Sequence, residues 1–300
     1  MSPSEQPTAR IQQHGSTSLR GRTPFSAISI LAASLVALVP PGALFTALTV
    51  ARAEDHPAPE RRVAEDTANQ AEPTDPQQQA EHIYATACAP CHGSKGDGTA
   101  PAAFSIAPHI APRPRDFTKG TYKLRSTPSG TAPVDADLHR TIARGIPRYM
   151  PAFAALGDDA IAALVERVKG FSAKFAAPPP TSVRLPEPPA IDAGMAASGA
   201  RVYEELGCAA CHGPQGRGNG PAAAALRDTA GLPIWPADLA HPSWFKGGSS
   251  PADIYRTLVT GMDGTPMPGY ADVFADLAPE KPWQLIAYIA TLSRERGSAP

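Results

Sequence analysis

The chain has no cysteine to spare. Its 300 residues hold four, all within two copies of one five-residue pattern, Cys88-Ala-Pro-Cys91-His92 and Cys208-Ala-Ala-Cys211-His212. With no thiol left over, the sequence carries no disulfide framework. An excess of one charge is also missing. The 27 Lys and Arg balance 28 Asp and Glu, so bulk electrostatics does not point to nucleic acid, and no basic-aromatic recognition module is present. Nor is there an unbroken apolar run at the N-terminus of the roughly 20 residues a membrane span needs. The mainly apolar stretch 25–39 is cut from the next, 43–50, by Pro40-Pro41.

What is present is C-x-x-C-H, twice. This is the attachment signature of c-type haem. Two thiols add to the haem vinyl groups, and the two-residue spacer lets both sulfurs reach one porphyrin edge. The next residue brings its imidazole under the iron as proximal ligand. A dithiol redox pair or half a zinc site also uses C-x-x-C. The dithiol pair does not require the following histidine, which is present both times. A zinc site needs the two pairs to converge, whereas each sits in its own copy of a longer repeat. The reading is therefore two covalently bound haem c groups.

The N-terminus reads as an export signal over 1–53. Arg20 and Arg22 close a polar segment, the apolar stretches follow, and Ala51-Arg52-Ala53 fits the small-x-small cleavage pattern. An uncleaved anchor is the alternative. Either way the haem-bearing part lies outside the cytoplasm, and a periplasmic location is expected. Residues 54–76, rich in Pro, Gln, Glu, Ala and Asp, are expected to be a disordered linker.

The haem motif is the centre of a longer repeat. Glycines 93, 96 and 98 match 213, 216 and 218, and Pro101 matches Pro221. Pro114-Arg115-Asp116-Phe117 corresponds to Pro236-Ala237-Asp238-Leu239. Two short amphipathic helices are predicted at Leu138–Gly145 and Ile254–Gly261, each closed by its glycine. Tyr149-Met150-Pro151 and Pro266-Met267-Pro268 follow. Each unit then ends in a helix, one carrying Ile161, Leu164, Val165 and Val168 with Asp158 as N-cap, the other Trp283, Ile286, Ile289 and Leu292. A tyrosine, Tyr84 or Tyr203, precedes each cysteine pair at offsets that differ by one residue, so the helix bearing it is expected to join the haem loop differently in the two units. The proline-dense stretch 178–189 reads as an extended, semi-rigid linker between domains at 77–177 and 190–297.

This order of helix, C-x-x-C-H-G, glycine loop, Met-Pro loop and terminal helix resembles class I cytochrome c, twice over. The resemblance implies an all-α fold of two tandem domains, each wrapped around a covalent haem. It implies a sixth iron ligand from a loop well beyond the histidine. Met150 lies 58 residues after His92, and Met267 lies 55 after His212. The expected site is thus Cys88, Cys91, His92 and Met150 in the first unit, and Cys208, Cys211, His212 and Met267 in the second, with His92, Met150, His212 and Met267 on iron. Met262 competes with Met267, while Met195 reads as core. His82, His109, His139 and His241 are further histidines in or beside the domains; His109 is the one to watch as an alternative iron ligand. The resemblance also implies that the carbonyls of Pro101 and Pro221 accept from the proximal histidines. Arg113, Arg115, Tyr122, Lys123 and Arg125 in the first unit, and Trp235, Trp244 and Phe245 in the second, are candidate porphyrin or propionate contacts, with ordinary core packing and solvated charge as the alternative.

The function this implies is single-electron transfer between respiratory redox proteins, with no catalytic residues. A haem subunit of a larger oxidoreductase, such as a membrane or molybdenum-enzyme complex, is one rival. A dihaem peroxidase or thiosulfate-oxidising enzyme is the other, although such catalysis needs an open or unusual iron ligand. Residues 81–176 carry 12 Lys and Arg against 8 Asp and Glu, a net of +4, whereas 191–300 carry 8 against 11, a net of −3. An acidic partner docking on the first unit is one consequence of that asymmetry. The other is that the charges mix over the surface and make no patch.

Overall fold

The computed structural model describes residues 75–106, 112–178 and 180–293. The export segment, nearly all of the 54–76 linker and His109 lie outside the described residues. Among those described there is no strand, only isolated bridges at Ile146–Met150 and Arg227–Pro233. No helix among them is long and apolar enough to cross a membrane.

In the first repeat, α1 (Pro76–Ile83) starts where Asp75 accepts from the Gln77 amide at 3.2 Å and Pro76 supplies a preset φ. It crosses α5 (Asp158–Lys169), whose Ile161, Leu164, Val165 and Val168 are all buried as their spacing predicts. Asp158 is not the N-cap. Gly157 holds that place and Asp158 is the first helical residue, its carboxylate 3.3 Å from His139 Nε2. Between them lie α2 (Ala89–His92), α3 (Pro101–Ile106) and α4 (Asp135–Arg144).

The second repeat has the same plan. α6 (Ala193–Glu205) packs along α10 (Lys281–Leu292), with α7 (Cys208–His212), α8 (Pro251–Thr260) and α9 (Ala271–Ala275) between. The buried Gly199 of α6 faces the Gln284 carbonyl of α10 so closely that a Cβ could not fit. Met195 packs against this core, as expected. The two apolar cores are separate: one gathers Tyr84, Phe117, Tyr122, Leu138 and α5, the other Tyr203, Tyr255, Phe274, Trp283 and α10.

The one-residue difference in tyrosine offset has a structural cause. In the first repeat the chain passes from α1 into α2 through a π-type turn, in which the Ala89 amide bonds the Tyr84 carbonyl five residues back. In the second, α6 stops at Leu206 and Gly207 turns the chain with φ of 69°. Both routes deliver the tyrosine to the same place. Tyr84 donates to the Gly93 carbonyl at 2.8 Å and Tyr203 to the Gly213 carbonyl at 2.7 Å.

Residues 180–189 form no helix or strand, as a proline-rich spacer should. The segment is also pinned to both repeats through its middle. The Val183 amide donates to the Ser126 carbonyl at 2.7 Å, while Val183 and Leu185 pack against the second core. The repeats touch directly as well. Arg125, fully buried, donates to the Thr260 carbonyl and to Asp263 at 2.8 Å, and Asp263 also accepts from Ser129 and the Gly130 amide. Arg144 lies 3.6 Å from Asp253. Arg125 is therefore an inter-repeat clamp.

Candidate haem sites

In the second repeat Cys208, Cys211, His212 and Met267 line a single cavity of about 430 Å³, within the range of roughly 300–1,000 Å³ for cofactor sites. Cys208 and Cys211 sit one helical turn apart on α7, and His212 ends that turn. Met267 approaches from the loop after α8, and Met262 lines the same cavity. The walls are apolar: Leu226, Ile234, Leu239, Leu258, Leu285 and Ile289, with Trp235, Trp244 and Phe245, three aromatics the sequence singled out.

The first repeat carries its candidates on equivalent elements. Cys88 precedes α2, Cys91 and His92 lie within it, and Cys88 packs against the first core. The His92 ring stacks on Phe117 at 4.5 Å. Met150 follows α4 through a tight loop in which its amide and carbonyl both bond Ile146, each at 2.9 Å. Gly145 and Gly261 end α4 and α8 with φ of 65° and 66°. A Cβ on Gly145 would strike the carbonyls of Met150 and Pro151, and one on Gly261 would strike Pro268 and Gly269. These glycines let each Met-Pro loop close against its helix.

The proximal histidines are oriented alike. His92 Nδ1 lies 3.1 Å from the Arg115 carbonyl, and His212 Nδ1 lies 3.0 Å from the Ala237 carbonyl. A carbonyl only accepts, so Nδ1 carries the proton and Nε2 keeps its lone pair for a metal. This corrects the expectation that Pro101 and Pro221 supply these carbonyls. The acceptors belong to the middle residues of Pro114-Arg115-Asp116 and Pro236-Ala237-Asp238, a pair the repeat alignment exposed without revealing its task. Burial holds both imidazoles below their usual pKa, hence neutral.

Burial also pushes the Cys88 thiol up, and the Cys208 thiol up to about 11. A site that disfavours thiolate suits sulfur held in an uncharged thioether better than a zinc thiolate centre. Among the described residues no three His, Cys, Asp or Glu side chains converge as a metal cage. The other described histidines are otherwise engaged: His139 with Asp158, His241 with Asp238 at 2.9 Å and stacked on Trp244, while His82 is exposed. The Tyr122 hydroxyl is buried without a hydrogen-bond partner among the described residues. Leaving it so costs about 1–3 kcal/mol, and its place in the aromatic cluster with Phe117 beside His92 fits a cofactor that offers an acceptor.

Three of the cavity's lining residues come from the first repeat: Lys123, Arg148 and Tyr149. The Arg148 guanidinium lies 4.4 Å over the Trp244 ring, and Lys246 lies 4.6 Å over Tyr149. The sequence named Lys123 as a contact but assigned it to the first haem. Arg148 and Lys246 carried no sequence signal.

Residues 196–293 match the Cytochrome c family, and residues 75–166 match the cbb3-type cytochrome c oxidase subunit III family. No curated protein matches the chain. A solved chain of the Kuenenia stuttgartiensis reducing HAO-like protein complex is 39% identical over 71% of this chain and 94% of its own length, with a TM-score of 0.66. The chain belongs to the cytochrome c family, with all-α class I cytochrome c domains in tandem, and these domains imply covalent haem c and electron transfer.

Proposed function

We propose that the chain is an exported, periplasmic two-haem electron relay, with one haem c on Cys88 and Cys91 and a second on Cys208 and Cys211. His92 and Met150 would ligate the first iron, and His212 and Met267 the second. The domains span 77–177 and 190–297. Haem would supply the one-electron couple, and a methionine thioether among its ligands would favour Fe(II) and a raised potential. The chain's own residues orient the imidazoles through the Arg115 and Ala237 carbonyls, keep them neutral, and wall the second cavity with apolar side chains.

The observation that carries this reading is the cavity lined by both His212 and Met267. An iron held by both His212 and Met267 would keep no open position for substrate, which favours electron transfer over peroxide or thiosulfate chemistry. Haem quantitation should give two per chain, and the ferric protein should show the long-wavelength Met–Fe(III) charge-transfer band. Rapid peroxide turnover with no such band would sink the proposal.

A second reading is favoured by the similar chain from a protein complex. In it, this chain is a permanent haem subunit of a larger oxidoreductase and carries the same chemistry. Retention in a complex through purification at high salt distinguishes it from a free carrier.

A further inference from the structure

The second cavity is lined by three cations, Lys123, Arg148 and Lys246, and by one carboxylate, Asp238. Asp238 is engaged with His241. None of the three cations has a carboxylate within ion-pair distance among the described residues. The lining therefore carries a net of +2 inside an otherwise apolar wall. Burial, with Arg115 and Lys246 nearby, pushes the Lys123 ammonium down to about 7. Burial, with Arg115 and Arg148 nearby, pushes Lys246 down to about 8. Clustered cations, of which Lys123 and Lys246 are partly buried, are costly without an anion to face them.

Arg148 adds a mark of its own. It is the one described non-glycine residue with positive φ, at 70°. That conformation costs about 1–2 kcal/mol for a residue with a Cβ. It holds the guanidinium over Trp244, a wall of the second cavity. The first repeat thus spends backbone strain to place a charge in the other repeat's site.

We propose that Lys123, Arg148 and Lys246 hold the two propionate carboxylates of the haem bound at Cys208 and Cys211, so that the first domain completes the haem site of the second. The proposal rests on the two-haem reading. A dianion matches the lining charge, and Lys123 and Arg148 reach it across the domain contact that the Arg125–Asp263 clamp helps to hold. The potential of the second haem is then set by residues of the first domain, since a nearby cation favours the ferrous state.

The test uses the full-length holoprotein and spectroelectrochemical titration. Lys123 is chosen because it lies far from Met150 in sequence and belongs to the other domain. In Lys123→Gln the second-haem wave should move to lower potential, on the order of a tenfold change in its ferric-to-ferrous ratio at fixed ambient potential. The first-haem wave should stay put. Lys123→Arg, which keeps the charge, should restore the position. Waves are assigned with Met267→Ala, which removes the second iron's Met band. An unmoved second-haem wave in Lys123→Gln would overturn the proposal, as would equal movement in Lys123→Arg. So would a shift that tracks the concentration of added phosphate, since that marks an external anion. Failure of the ligand reading would show earlier and separately, as a missing Met–Fe(III) band in the unsubstituted protein.

Discussion

Replacing Asp263 by asparagine tests the inter-repeat clamp. The Arg125 side chain is 0% exposed and that of Asp263 12%. The carboxylate accepts from Arg125 at 2.8 Å, from the Ser129 hydroxyl at 2.7 Å and from the Gly130 amide at 2.8 Å. Asparagine keeps the shape but removes the charge, and it points an amide donor at groups that themselves donate. Breaking a buried pair from one side costs about 3–5 kcal/mol. Arg125 retains the carbonyls of Tyr122, Pro128 and Thr260, so the lower limit, about 3 kcal/mol, applies. In a folded unit of this size that corresponds to a fall in Tm of roughly 6–12 °C.

The assay is thermal unfolding of the holoprotein followed by circular dichroism, with the exposed Asp272→Asn as control. The control should change stability by less than about 0.5 kcal/mol. Because Asp263 bridges the repeats, its variant should also separate their unfolding into two steps. The apolar pair Arg125→Met with Asp263→Leu should recover much of the loss, since it leaves no unpaired charge behind. If Asp263→Asn matches the control, the clamp contributes nothing to stability.

Gly261→Ala should cost about 3 kcal/mol, because a Cβ meets both an unfavourable φ and the backbone of Pro268. It should also weaken the Met–Fe(III) band of the second haem, read in the ferric spectrum. Tyr84→Phe should cost about 1 kcal/mol for the lost bond to the Gly93 carbonyl. Burial lifts the Tyr84 phenol from 10.0 to about 12. The raised value means its stabilisation is complete below pH 10 and disappears as pH climbs through about 12, so denaturant melts should lose that alkaline step in Tyr84→Phe. Electron transfer to an acidic partner should depend only weakly on ionic strength, because Lys123, Arg125, Arg144 and Arg148 face the second repeat. A steep dependence in stopped flow that flattens in Arg144→Gln would contradict this.

The parts of the fold legible in sequence were those with a local period or a repeated register. The spacing of Ile161, Leu164, Val165 and Val168 fixes one face of α5 regardless of its neighbours, and the glycines after α4 and α8 end those helices by backbone necessity. The aligned repeat also located every cysteine, histidine and methionine of the candidate sites. It could not give the acceptor of the histidine N–H, because any backbone carbonyl can serve and only tertiary geometry selects Arg115 and Ala237. It misplaced the cap of α5 by one residue, because Gly157 and Asp158 both tolerate the position and only the backbone geometry selects Gly157. Lys123 and Arg125 were visible as cations beside a haem motif, but not which haem or which repeat they served.

That ambiguity bears on the charge difference between the repeats. A net of +4 beside a net of −3 invites a search for an acidic partner outside the molecule. The structure supplies one inside it. Arg125 meets Asp263 and Arg144 meets Asp253, while Lys123 and Arg148 turn into the second cavity. On the first repeat's own surface Lys119, Arg140, Arg167 and Lys169 are each paired with a carboxylate of that repeat. Apart from Arg140, whose partner Asp137 is buried, these are solvent-facing pairs that contribute at most about 1 kcal/mol each, but they neutralise the face a partner would meet. The sequence asymmetry therefore acts first between the two halves of the chain. It draws them into the register that sets the Met150 loop, through Arg148 and Tyr149, against the second haem cavity. In a two-haem relay this contact is where an electron would cross, so charge that looks like a docking signal in the sequence serves the internal step.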